Sequence, residues 1–143
     1  MARVLDAYID IDAPPKRVWE ALIDFPSWKE WNKFIPSLAG KLEVGARLRI
    51  TVHPPGRRPM KFKPEVFGLR PGEEILWGGS YSILFCADHE ILLEPLPGGG
   101  TRFRQIERFR GPVVLFIGGL IKSSEKGYHE MNEALKRRVE GTI

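Results

Sequence analysis

The chain has 143 residues, 43% of them apolar, and its 22 Lys and Arg against 18 Asp and Glu give a formal net charge of +4. That length buries roughly two thirds of its unfolded surface as one domain spanning 1–143, whereas two domains would each be too small for a core. A single cysteine, Cys86, excludes an intrachain disulfide and any multi-cysteine zinc site, and the longest apolar run, 113–121, is far short of the ~20 residues of a membrane span.

No apolar leader-like run follows Met1, so a reducing cytoplasm is the expected location. Arg3 to Asp12 then alternates, with Leu5, Ala7, Ile9 and Ile11 on one side and Asp6, Tyr8, Asp10 and Asp12 on the other, the pattern of a half-buried strand. Ala13-Pro14-Pro15 stops it. Proline suits the first turn of a helix, and Val18, Ala21 and Leu22 recur at helical spacing until Asp24-Phe25-Pro26 breaks the segment. A second short helix is expected over roughly 27–32.

From about residue 38 the punctuation is that of hairpins. Gly40, Gly45, Pro54-Pro55-Gly56, Pro71-Gly72 and Pro97-Gly98-Gly99-Gly100 separate segments of strand length, which predicts strands near 38–43, 46–53, 60–70, 73–80, 86–95 and 100–110. The final segment, from about Pro112 to Glu140, reads as a long helix loosened at Gly118-Gly119. Its apolar or small stripe is Leu120, Ser124, Gly127, Met131, Leu135 and Val139. The fold class expected is α+β with helix-grip order: a seven-stranded antiparallel sheet wrapped around the C-terminal helix, with two short helices after strand one. One curved sheet gripping one helix tends to leave a hollow, here expected at roughly 300–1,000 Å³, and function is sought there.

Particular residues sharpen this. Val18-Trp19, Asp24-Phe25-Pro26, Trp28, Trp31-Asn32-Lys33-Phe34-Ile35, Gly40, Gly45-Ala46, Trp77, His89, Leu93-Glu94-Pro95, Gly100-Thr101 and Met131-Asn132-x-x-Leu135-Lys136 together resemble the polyketide cyclase/dehydrase-like branch of the START/SRPBCC superfamily. The likeness covers nearly the whole chain. It implies the helix-grip fold and a function among those of lipid and hormone carriers or aromatic cyclases, and a shared fold alone does not choose between them.

Strand parity indicates which side chains face the helix. A turn over roughly 96–100 sets Leu93 opposite Phe103, Ile91 opposite Gln105 and His89 opposite Glu107, so the inward set is His89, Ile91, Leu93, Phe103, Gln105, Glu107 and Phe109. A slip of one residue would expose two phenylalanines. The outward set pairs Asp88, Glu90 and Glu94 with Arg102, Arg104 and Arg108, which solubilises a sheet without any ligand. Arg47, Arg49, Arg57, Arg58, Lys61 and Lys63 are left on one basic hairpin. A basic hairpin can touch nucleic acid or an anionic membrane, but this one lacks interleaved aromatics and any recognisable binding module, so it is expected to be solvated, with no specific nucleic-acid partner.

The remaining aromatic and small residues set the expected cavity wall: Trp31, Phe34, Phe62, Trp77, Phe85, Phe116, Leu120, Gly127, Tyr128 and Met131, joined to His89, Ile91, Phe103, Gln105, Glu107 and Phe109 from the hairpin. Trp31 can equally pin the short helices. Gly127 offers room or close approach, and Gly118-Gly119 weakens the helix near the mouth. His53, His89 and His129 lack metal-ligand spacing, so neither metal nor cofactor is expected. Cys86 reads as a small core or pocket residue. The function expected is binding or carriage of a small hydrophobic ligand, lipid-like or polycyclic aromatic, with no catalytic residue. The alternative is a polyketide-type cyclase or dehydratase with His89 and Glu107 as acid and base.

Overall fold

The computed structural model describes residues 2–141. Strand β1 (Ala2–Ile11) is followed by α1 (Pro15–Ile23), a 3-10 turn (Phe25–Ser27) and α2 (Trp28–Trp31). Then come β2 (Ser37–Ala39), β3 (Arg49–Val52), β4 (Met60–Phe62), β5 (Glu65–Arg70), β6 (Glu74–Ser82), β7 (Phe85–Pro95) and β8 (Thr101–Arg110). A second 3-10 turn (Pro112–Phe116) leads into α3 (Gly118–Glu140).

The antiparallel sheet, the long last helix and the two short helices are present as the sequence predicts, but the seven strands are not in one sheet. Five strands pair in the order β1-β8-β7-β6-β5, and three more form a separate sheet, β2-β3-β4. The expected strand 60–70 is split in two at Lys63-Pro64, because proline has no N–H for a ladder. Its halves pair with different partners, β4 with β3 and β5 with β6. The sheets are still stitched together, since Val66 N–H donates to Ala46 O, and Gly45 and Leu48 donate to Val66 O and Pro64 O.

The central hairpin has the register read from parity: Leu93 faces Phe103, Ile91 faces Gln105 and His89 faces Glu107. On its outer face Arg102 pairs with Asp10, Arg104 with Asp6 and Glu94, Arg108 with Glu90 and Arg110 with Asp88. Cys86 is a correction. It occupies the outward parity of β7, half-buried, with Sγ 3.4 Å from Ser80 Oγ, and is neither in the core nor in a pocket.

The short helices are fixed by their own side chains. Trp28 Nε1 donates to Leu22 O at 2.9 Å, satisfying one of the carbonyls that α1 leaves open at its end. Asn32 Oδ1 accepts from the N–H groups of Phe34 and Ile35, a local turn that aims both side chains inward. At the far end of α3, Arg17 donates to Val139 O, Lys136 Nζ to Asp10 O, and Asp12 N–H to the Glu140 carboxylate. That half of α3 is thereby tied to β1 and α1. Gly118-Gly119 begins the helix and does not loosen it midway, because Pro112–Phe116 winds as a separate 3-10 turn.

Candidate functional site

Between the sheet and the first half of α3 lies a cavity of about 260 Å³, just below the expected range. Three groups of elements build its wall. Phe34 and Ile35 come from the turn that Asn32 fixes, while Ile50 and Val52 of β3 face Phe62 and Met60 of β4 across the small sheet. Trp77 and Tyr81 of β6, Phe85, Ala87 and His89 of β7, and Glu107 and Phe109 of β8 supply the large sheet's side. The lid side is Val113, Ile117, Leu120, Ser124 and Tyr128. Apart from Ser124 and the hydroxyls of the two tyrosines, the polar groups of this wall are His89 and Glu107.

Those groups belong to a buried chain of hydrogen bonds. Gln105 spends its amide N–H on Asn132 Oδ1 at 2.7 Å, so its Oε1 accepts from His89 Nε2 at 3.0 Å. The other ring nitrogen, Nδ1, is 3.0 Å from the Tyr128 hydroxyl and 2.9 Å from Glu107 Oε2. Only the tyrosine contact has hydrogen-bond geometry; Glu107 Oε2 is buried beside the imidazole without a hydrogen-bond partner of its own. Trp77 stacks on the imidazole with centroids 5.1 Å apart. Burial first, and then the neighbouring Glu107 carboxylate, push the Tyr128 phenol far above its ordinary value, so it keeps its proton; Tyr81 is raised for the same two reasons. The site therefore offers an apolar chamber with a single polar corner, in which the Glu107 carboxylate is an acceptor set against the His89 imidazole and the Tyr128 hydroxyl.

The structure gathers nine of the expected wall residues around this chamber: Phe34, Phe62, Trp77, Phe85, His89, Glu107, Phe109, Leu120 and Tyr128. The others are elsewhere. Ile91, Phe103 and Met131 are fully buried in the filled part of the core, and Gln105 sits behind His89. Trp31 packs on Trp28 at 5.6 Å and borders a polar surface groove with Asn32 and His53. Gly127 does not add room: a Cβ there would run into the Phe34 ring, so the glycine exists for close approach. Phe116 is 85% exposed, because the 3-10 turn puts Val113, Val114 and Ile117 inward and carries Leu115 and Phe116 to the opposite side.

Val113 and Ile117 belong to the apolar run 113–121, expected as core or pocket wall, while Ile35, Ile50, Val52, Met60, Tyr81, Ala87 and Ser124 were not expected in the wall. Some were within reach of the same parity rule. Tyr81 continues the odd positions of Trp77 on β6, and Ile50 and Met60 share the even face that Phe62 marks. Among the described residues, no three His, Cys, Asp or Glu side chains converge as a metal site requires.

Comparison with known proteins agrees with this geometry. A family model described as polyketide cyclase / dehydrase and lipid transport matches residues 2–140. No curated protein matches the sequence. Among solved structures, a Thermus thermophilus protein superposes with a TM-score of 0.76 at 20% identity, covering 98% of this chain and 99% of its own. The Zhui aromatase/cyclase of a Streptomyces species gives 0.77 at 16% identity, covering 98% and 94%. A START superfamily protein of Mycobacterium smegmatis gives 0.75 at 18%, covering 98% and 99%. At these identities the likeness is one of fold.

Proposed function

The chain belongs to the polyketide cyclase/dehydrase and lipid transport family, and from that premise we propose that it binds or carries a small hydrophobic ligand in the cavity under α3. The observation that carries this reading is an enclosed apolar chamber with one polar corner. Its modest volume suits a compact ligand of one or two rings or a short chain better than a full-length lipid. The Glu107 carboxylate, buried beside His89 and Tyr128, is an acceptor, so a ligand bearing a hydroxyl or amine donor is favoured and one ending in a carboxylate is repelled.

A second reading, proton-transfer catalysis of a cyclase or dehydratase type, is supported by the same corner. There the reacting group would be Glu107, not His89, because both ring nitrogens of His89 already face protein partners.

Titration with an apolar fluorescent probe tests the first reading. Saturable binding is expected, displaced by small phenols or alcohols more readily than by carboxylic acids of equal size. Leu120→Trp, which fills the wall from α3, should abolish it; unchanged affinity in the folded variant would refute the cavity as the site. Catalysis would be favoured over carriage if Glu107→Gln lowered turnover of a polyketide-like substrate by roughly a hundredfold while leaving its binding in place.

A further inference from the structure

We infer that the cavity end of the molecule is a docking surface for an anionic lipid bilayer. Ile83 is 97% exposed and Phe116 85%, with Leu115 at 60% and Leu84 at 47%. Large apolar side chains scattered singly on a surface need no explanation, but these four come from two adjacent segments. The β6–β7 turn carries Ile83 and Leu84, and the 3-10 turn carries Leu115 and Phe116; Val113 N–H donates to Leu84 O at 3.3 Å and holds them side by side. The patch is continuous with the chamber, since Phe85 and Ile117, the chain neighbours of Leu84 and Phe116, line it together with Val113, which bonds to Leu84.

Charge distinguishes a bilayer from a protein partner. The tip of the β3–β4 hairpin reaches this end of α3: Ser123 Oγ donates to Pro55 O at 2.7 Å, and the Arg57 guanidinium lies against Gly119. Arg57, Arg58 and Lys122 are exposed, and among the described residues none of them has an ion-pair partner. On the outer face of the large sheet, by contrast, Arg102, Arg104, Arg108 and Arg110 are all neutralised by carboxylates. Acids do border the tip: Glu125 shares a shallow groove with Pro55, Gly56, Lys122 and Lys126, and Glu30 and Glu130 another with Pro55 and Gly56, but neither groove includes Arg57 or Arg58. Short protruding apolar turns flanked by unpaired cations match the interfacial region of an anionic membrane: the apolar tips enter the acyl boundary and the cations stay at headgroup level. An apolar ligand could then pass between bilayer and cavity without crossing water.

Flotation with phosphatidylcholine vesicles, with and without phosphatidylglycerol, tests this on the intact chain. Binding is expected only when phosphatidylglycerol is present, and added salt should weaken it. The double substitution Ile83→Glu/Phe116→Glu, at sites too exposed to affect folding, should weaken it at least about tenfold. Arg57→Gln/Arg58→Gln should also cost roughly tenfold, while Arg108→Gln on the paired face should not. Probe binding in solution should be unchanged by Ile83→Glu/Phe116→Glu, so a failure here is separable from a failure of the ligand reading. Absence of binding at low salt, indifference to both double substitutions, or a concentration-dependent dimer dispersed by Ile83→Glu/Phe116→Glu would each overturn the proposal.

Discussion

The two ends of α3 rest on the same sheet and are used in opposite ways. Around its C-terminal half, Met131, Leu135 and Val139 close with Leu22, Ile11 and Phe103 into a filled core, fastened outside by Arg17, Lys136 and Glu140. Around its first half, Leu120, Ser124 and Tyr128 face a chamber of about 260 Å³. The boundary between them is the buried row His89, Gln105 and Asn132. A polar seam of this kind is costly where a donor goes unmatched, as Asn132 Nδ2 does, and its matched bonds separate a region built for stability from one built for occupancy.

The sharpest way to break that contrast is to delete one phenylalanine from each end. Phe103→Ala should cost about 3–5 kcal/mol, because the side chain is fully buried and its neighbours cannot collapse into the space. Phe62→Ala removes a half-buried ring from a wall that already faces empty volume, so its cost should be about half that or less while probe affinity changes. Urea titration of both variants measures this; equal losses would mean that the chamber wall carries as much of the stability as the core.

Gly127 tests the seam from the helix side. Alanine would ordinarily favour a helix by about 1 kcal/mol, but its Cβ would strike the Phe34 ring, so Gly127→Ala should instead destabilise by about 1–3 kcal/mol and drive Phe34 into the chamber, weakening probe binding. Gln105→Leu comes next. It leaves His89 Nε2–H without its acceptor and Asn132 without its donor, at about 1–3 kcal/mol, and should loosen the chamber more than the core. Hydrogen exchange read separately on α3's two halves distinguishes those outcomes.

Much of the filled end was legible in the sequence because parity decides it. With Phe103 and Phe109 on one strand and Ile91 and Leu93 on its partner, only one parity buries all four; the exact pairing rests on the turn over 96–100, and the pairs expected from it are the ones adopted. The hollow end was harder to read. A run such as 113–121 announces apolarity but not direction, and Phe116 faces out because a 3-10 turn, not the expected helix, carries it. Pro64 lies inside the strand expected over 60–70 and breaks it, and the consequence, two sheets instead of one, depends on partners that no local pattern names. Gly127 was readable as small, but whether small means empty or tightly approached depends on Phe34, a residue on a distant part of the chain.

The smallest effect expected is a pH asymmetry between the ends. At the fastened end, Glu140 is held below its ordinary value of 4.5 by the Lys136 side chain and then the Asp12 N–H, and Asp10 below 3.8 by Arg102. A carboxylate lowered on folding adds stability above its unfolded value and loses it as pH falls through the lower folded one, so this end should loosen in acid. The cavity end has the opposite sign. Tyr128, raised well above 10.0 by burial and by Glu107, keeps its proton when folded and loses it near that pH when unfolded. Its stabilising contribution is complete below about pH 10 and is lost as the pH climbs further. Melting curves across pH should therefore show an alkaline fall that Tyr128→Phe diminishes and an acid fall that Glu140→Gln diminishes. If either substitution flattened the other limb, the two halves of α3 would be one cooperative unit, and the seam at His89, Gln105 and Asn132 would not divide them.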